Sequence, residues 1–257
     1  MKGVVLAGGK GTRLYPLTYA TNKHLLPIYD QPMVYYPIQT LVNAGITEVM
    51  IVTGDIHAGH FINVIKNGKD LGLKHVEYAY QEGGSAGIAD ALKYAESFAD
   101  GEPIAVILGD NTTDADIAAA VKNFKEGAMI FLKEVVDPER FGNPVFSQSD
   151  PKKIEKIVEK PKVPANKFAV TGLYFYDSSV YQKIRTLKPS DRGELEITDV
   201  NNAYIGEGKM QWAPLDGFWS DAGTFHSLYR SSRYWAQKKL GDKYQDVCAG
   251  ISVPGLE

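Results

Sequence analysis

The apolar stretch from Lys2 to Ala7 breaks without a linker into Gly8-Gly9-Lys10-Gly11-Thr12-Arg13-Leu14. A buried strand that ends this way must turn sharply on bare backbone at its carboxyl end, where α/β sheets present their binding groups. Without a Cβ in the way, the loop amides can approach phosphate oxygens closely, and Lys10 and Arg13 add positive charge, Arg13 as a fork suited to bidentate contact. Two common phosphate loops do not fit. The Walker pattern requires Gly-Lys-Ser/Thr where Gly11 is followed by Thr12-Arg13, and the dinucleotide fingerprint requires a third glycine where Leu14 stands. A triphosphate cradle of another kind is the expectation.

Beyond the loop, strand and helix patterns alternate. Helices are predicted over 33–44, around 61–65, over 86–98 and over 115–125, and strands over 49–53, 76–80, 103–108 and 129–132. Such alternation predicts a mainly parallel sheet covered on both faces, with its site in the loops that follow the strands. After Asp137 the texture changes: Pro138, Pro144, Pro151, Pro161 and Pro164 punctuate strand-like pieces at 153–159 and 168–176. Helical patterning returns at 178–187 and 194–206. A second lobe packed on the first, with a cleft between them, is expected.

Composition narrows the partners. A formal net charge of -3 offers no global attraction to nucleic acid, so any polyanion must be met by locally clustered cations. No apolar run reaches membrane-spanning length, and Met1-Lys2 leads straight into a strand, so a cytoplasmic protein is expected. Cys248 is the single cysteine, which excludes an intramolecular disulfide and a cysteine-based zinc site; it reads as a small apolar residue. His24, His57, His60, His75 and His226 show no metal-ligand spacing tied to nearby acids, His57 and His60 being three apart without an evident third ligand, and no nucleophile elbow or Cys–His pair is visible.

The chemistry-bearing candidates lie at strand ends. Asp110, in Leu108-Gly109-Asp110-Asn111, reads alone as either a metal ligand or a turn or cap residue. A second carboxylate, Asp221, lies in Phe218-Trp219-Ser220-Asp221-Ala222-Gly223-Thr224. Two such acids beside a phosphate loop would suit Mg²⁺, which takes its remaining ligands from phosphate and water. Lys23 follows the loop and reads as a phosphate-reaching or a solvated lysine. Glu159 and Lys160 pair an acceptor with a cation, fitting a sugar phosphate or an ordinary solvated surface pair. Arg192 precedes a helix. Gln81, in Gln81-Glu82-Gly83-Gly84-Ser85-Ala86-Gly87, joins a two-faced amide to bare backbone, as base reading or a flexible loop requires.

In order, and across the chain to about Arg233, these motifs resemble the sugar-1-phosphate nucleotidylyltransferases. Asn22-Lys23-His24-Leu25-Leu26-Pro27, Pro32-Met33 and Tyr35-Tyr36-Pro37 resemble its thymidylyl branch more than its mannose-guanylyl relatives. Val158-Glu159-Lys160-Pro161, Val170-Thr171-Gly172-Leu173-Tyr174 and the run from Arg192 to Asp199 are similar to that branch as well. The resemblance implies an α/β fold: a Rossmann-like, mainly parallel mixed sheet flanked by helices, with a smaller sugar-binding lobe. It divides the domain, 1–233, into a nucleotide-binding lobe (about 1–136), a sugar-binding lobe (about 137–217) and a returning metal-binding segment (218–233), followed by a tail (234–257).

The same resemblance implies residue roles. Leu6, Gly8, Gly9, Gly11, Thr12, Arg13 and Asp110 would bind the nucleotide, with Gln81 and Gly87 at the base. Asp110 and Asp221 would hold Mg²⁺. Asn111, Gly142, Glu159, Lys160, Val170, Tyr174 and Arg192 would bind the sugar phosphate, and Arg13, Lys23 and Lys160 would act in catalysis. The implied substrates are dTTP and glucose 1-phosphate, with a homo-oligomer and neither nucleic acid nor membrane as partner. UTP stays open, because uracil and thymine differ by one methyl group, and so does a non-catalytic nucleotide-sugar sensor. Asp90 stands where many relatives carry glutamine. The chain beyond Arg233 is shorter than the long family form, whose extra helices carry a secondary nucleotide site, so feedback control is not part of the expectation.

Overall fold

The computed structural model describes residues 1–54, 56–82 and 86–245. Cys248 and positions 83–85 of the glutamine-bearing loop lie outside the described residues. In chain order the elements are β1 (Lys2–Ala7), β2 (Pro27–Ile28), β3 (Gln31–Pro32), α1 (Tyr35–Asn43), β4 (Glu48–Thr53), α2 (Ala58–Ile65), β5 (His75–Tyr80), α3 (Ile88–Leu92) and α4 (Glu96–Ala99). They continue as β6 (Ile104–Leu108), β7 (Asn111–Thr113), α5 (Ala118–Asn123), β8 (Ala128–Glu134), β9 (Gly142–Phe146), β10 (Ile154–Glu159) and β11 (Phe168–Tyr176). The last are α6 (Val180–Thr186), α7 (Ile197–Gly206), β12 (Met210–Pro214), β13 (Trp219–Asp221) and α8 (Phe225–Leu240).

β1 lies between β4 and β6, parallel to both, and β5 extends the sheet beyond β4. The chain therefore builds outward from one side of β1 and then crosses to the other, which makes the carboxyl ends of β1 and β6 a topological switch point. Leu6 pairs with Leu108 in that register, so the glycine loop and Asp110 leave the sheet side by side. The sheet is mixed because β11 runs antiparallel between β6 and β8, while β12 joins the far side of β8 in parallel. The antiparallel β9–β10 pair attaches at Val170 of β11. The proline-punctuated region thus contributes a strand to the middle of the sheet, between β6 and β8.

Burial on both faces follows from the alternation. Val4 and Leu6 enter one core with Leu92, Phe98 and Tyr204, whereas Val5 and Ala7 enter the opposite one with Ile38, Leu41 and Phe61. Each fully buried large side chain contributes about 1.5–3 kcal/mol. A third, smaller core of Leu14, Leu26, Ile28, Met33 and Tyr36, with Leu228 and Trp235 packed on it, anchors the segment after the glycine loop.

Several boundaries differ from expectation for tertiary reasons. The helix expected at 33–44 starts at Tyr35, because the amides of Met33 and Val34 donate to the carbonyls of Leu26 and His24 instead. The helix expected over 86–98 is α3 and α4 joined by a 3₁₀ turn at Lys93–Ala95. The one expected at 115–125 shortens to α5, because Thr113 and Asp114 are tied to Phe218 by backbone and side-chain hydrogen bonds. Residues 194–196, expected as helix, precede the start of α7 at Ile197. α8 runs unbroken through residue 233, the expected end of the domain. No helix among the described residues is long and apolar enough to cross a membrane.

Candidate active site

The glycine loop takes its shape from what surrounds it. A Cβ on Gly8 would meet Gln81 Oε1 at 2.7 Å, and one on Gly11 would meet the Lys23 Cβ at 2.8 Å. Gly11 also adopts a left-handed conformation with φ 66°, which glycine reaches without the steric cost other residues bear. The chain then makes one 3₁₀ turn over Thr12–Leu14, driving Leu14 fully into the small core. That anchor sets the position of its neighbour Arg13, whose Nη2 lies 3.0 Å from where a Cβ on Gly223 would be. From the same point Asp221 Oδ2 is 3.4 Å away and Asp110 Oδ2 is 3.5 Å away. Three groups distant in sequence thus face one small volume kept open by the absence of a side chain.

The two carboxylates are brought together by a short ribbon. β7 and β13 pair antiparallel with Asn111 opposite Asp221, and the Ala222 amide donates to the Asp110 carbonyl at 2.7 Å. Asn111 orders this corner: its Nδ2 donates to Asp110 Oδ1 at 3.0 Å, while its Oδ1 accepts from the Trp219 indole at 2.7 Å and from the Gly172 amide at 3.0 Å. Lys23 opens a 3₁₀ turn capped by Asn22 and passes beneath the glycine loop to reach Asp110.

At the other end of the cleft, Glu159 Oε2 accepts from Thr198 Oγ1 at 2.6 Å, and a Cβ on Gly142 would lie 3.5 Å from that carboxylate. Lys160 follows β10 with φ 44°, an uncommon backbone state for a residue with a side chain, and its Nζ lies 3.4 Å from Glu159. The Arg192 guanidinium is held by both Glu196 oxygens at 2.9 Å and lies 3.7 Å from Glu159 and Glu194. Gly87 seals the near wall. With φ 105°, it leaves no room for a Cβ, which would lie 2.7 Å from the Leu195 backbone nitrogen.

A model of the nucleotidyl transferase family matches residues 2–238. The chain belongs to that family. A glucose-1-phosphate thymidylyltransferase of Xanthomonas campestris is 40% identical over 253 residues, covering 96% of this chain and 84% of its own. A Bacillus anthracis structure assigned as a glucose-1-phosphate thymidylyltransferase, solved with sucrose, superposes with a TM-score of 0.84 at 46% identity over 91% of this chain and 94% of that one. A UDP-glucose pyrophosphorylase bound to UDP-glucose shares the fold at 23% identity, with a TM-score of 0.79 and coverage of 92% and 98%.

For a nucleotidyl transferase the arrangement is economical in charge. Leu6, Gly8, Gly9, Arg13, Lys23, Gln81, Gly87, Asp110 and Asn111 line one cavity. Gly142, Glu159, Lys160, Val170, Tyr174, Arg192 and Asp221 line the same one. Gly11 and Thr12 shape the loop without lining it, and Lys10 is exposed. Burial pushes the Asp110 carboxyl up, but the Lys23 ammonium at 2.5 Å, aided by Asn111, outweighs it and holds the acid well below the usual carboxylate range. Asp221 goes the other way. Burial and the nearby Asp110 charge raise it against the opposing pull of Arg140 and Arg13. Tyr174 is raised by burial and then by Glu159.

Sequence reasoning missed Arg140, whose Nη2 lies 2.6 Å from Asp221 and Nη1 2.7 Å from Asp137. No motif marks it, and only the folding of its 3₁₀ turn against β13 reveals it. Thr198, Trp219 and His24 were also unassigned; their signal was merely adjacency to named motifs. Among the described residues, Arg13 is the cavity-lining cation that makes no ion pair, which leaves its fork available to a phosphate.

Proposed function

We propose that the protein transfers a thymidylyl group from dTTP to glucose 1-phosphate, giving dTDP-glucose and pyrophosphate. The observation that carries this reading is the meeting of unpaired Arg13 with Asp110 and Asp221 at one end of a cleft whose other end holds Lys160, Arg192 and Glu159. A nucleoside triphosphate fits the first end and a sugar phosphate the second. The thymidylyl and glucosyl specificities rest on the relatives that bear those names.

Asp110 and Asp221 are suited to a hard divalent cation such as Mg²⁺. Asp221 Oδ1 is buried with no hydrogen-bond partner, while its Oδ2 turns with that of Asp110 toward the gap at Gly223. Two carboxylates leave most of an octahedron to phosphate oxygens and water. When bound, such an ion neutralises phosphate charge.

The chain's own residues position the reaction. A phosphate oxygen of the sugar phosphate attacks the α-phosphorus, forming an O–P bond as the bond to pyrophosphate breaks. The nucleophile is already ionised, so no general base is required. Arg13 is placed to take up charge on the departing pyrophosphate, with Lys23 beneath the loop as its companion. Lys160 and Arg192 offset repulsion between the two polyanions and hold the attacking oxygen in line. The cytoplasm, where nucleoside triphosphates are held, is the compartment this reading implies.

Purified protein incubated with Mg²⁺ and a matrix of dTTP, UTP, CTP, ATP and GTP against several sugar 1-phosphates tests it, with pyrophosphate release and product mass as readouts. Dominant dTDP-glucose is expected. Equal UDP-glucose would widen the base specificity, and nucleotide binding without any product would replace the enzyme with a sensor.

A further inference from the structure

Gln81 lines the cavity, and Asp90, outside that lining, is hydrogen-bonded to it; both are buried, at 3% and 5% exposure. Gln81 Nε2 donates to Asp90 Oδ2 at 2.7 Å, and Lys93 Nζ lies 2.5 Å from Asp90 Oδ1. A carboxylate accepts hydrogen bonds and cannot donate them. The primary amide of Gln81 must therefore turn its NH₂ toward Asp90, and its carbonyl oxygen is left facing Gly8 at the cavity. That oxygen carries no hydrogen bond among the described residues. Flipping the amide would set oxygen against oxygen at hydrogen-bond distance in a buried site, an arrangement charge repulsion forbids.

We infer that Asp90, locked by Lys93, acts as a positioning residue that turns the Gln81 carbonyl oxygen toward a base in the cavity and so selects pyrimidine bases with a ring N–H. The inference rests on the nucleotidylyl transfer proposed above. Thymine and uracil carry that proton on N3, whereas cytosine has a lone pair there. The device separates imide from amino pyrimidines and is blind to the thymine methyl group. It predicts strong rejection of dCTP and none of dUTP.

The test is kcat/KM for dTTP, dUTP and dCTP with glucose 1-phosphate, in wild type and in Asp90→Asn. An asparagine can donate as well as accept, which frees the Gln81 amide to turn. A dTTP-over-dCTP preference on the order of 10²-fold or more is expected for wild type. In Asp90→Asn it should narrow by about 10-fold, chiefly through a gain on dCTP, with the dTTP-to-dUTP ratio unmoved. A merely structural aspartate would lower all three together, and an unchanged dTTP-to-dCTP ratio in folded Asp90→Asn overturns the inference. Gln81→Leu provides a second route should that variant fail to fold: it must lose the preference by itself, and retention overturns the inference equally. Calorimetric binding of dTTP against dCTP separates the two proposals. Absence of product with any sugar phosphate would refute the transfer reaction, while the binding ratio would still decide the role of Gln81.

Discussion

Lys23 Nζ lies 2.5 Å from Asp110 Oδ2, and both side chains are only 12% exposed. The contact joins the segment after the glycine loop to the strand end 87 residues away. Replacing Lys23 with alanine strands a buried carboxylate, which costs about 3–5 kcal/mol when one partner of such a pair is lost. Urea denaturation of Lys23→Ala should show that loss. The double variant Lys23→Ala/Asp110→Asn should regain part of it, and equal midpoints for single and double variants would contradict the pairing.

Arg13 is exposed and makes no ion pair among the described residues. Arg13→Ala is therefore expected to keep its unfolding free energy within about 0.5 kcal/mol of wild type. Its turnover should fall on the order of 10²-fold. Steady-state kinetics beside a denaturation curve make the comparison, and near-wild-type turnover would remove Arg13 from the phosphate site.

Arg140 holds Asp221 at 2.6 Å and opposes the upward pull of burial and of Asp110 on that acid. Arg140→Met removes the opposition, so the Asp221 carboxyl rises further. Because the ionised form is the one that can bind a cation, the acid limb of the pH–rate profile should move to higher pH. A limb that stays in place would mean Asp221 does not control it.

His24 is 2% exposed, with Nδ1 2.7 Å from the Asn22 Oδ1 that accepts from it. Burial first, and then the Lys23 charge, lower its pKa from 6.5 to about 3. A base depressed on folding contributes stability that is complete above its unfolded value and is lost as pH falls toward the folded one. The wild type should therefore lose stability between pH 6.5 and about 3. His24→Gln should have a shallower acid slope in that window, as read from unfolding free energies at several pH values. Equal slopes would exclude the histidine as a source.

Gly87→Ala places a methyl group against the Leu195 backbone, in a conformation with φ 105°. The neighbouring main chains are already bound to each other, Leu195 N to Ala86 O at 2.8 Å and Ala89 N to Leu195 O at 3.2 Å. A destabilisation of about 2 kcal/mol or more is expected, because neither backbone can yield freely. An unchanged thermal midpoint would show that the wall is not rigid.

Much of the glycine-loop end of the cleft was legible because its signals are local. An apolar strand, a run of glycines and an acid after the next strand each declare a backbone state or a charge within a few residues. The resemblance to a known family extended that reading to Glu159, Lys160 and Arg192. Arg140 and the Gln81–Asp90–Lys93 relay were not legible, since each depends on the facing direction of a side chain. The short strands β7 and β13 escaped notice because three residues without alternation make no periodic pattern, and they exist only by pairing with each other.

Backbone chemistry written in the sequence therefore settled where the chain turns, which strands are buried and where phosphate-seeking groups lie along it. Long-range packing decided the rest. It placed Asp221 beside Asp110, ran β11 through the centre of the sheet and neutralised both acids with Lys23 and Arg140. Conformational preferences act over a few residues, whereas charge pairing and convergence on a cleft are set by contacts between segments a hundred residues apart, which no local pattern encodes.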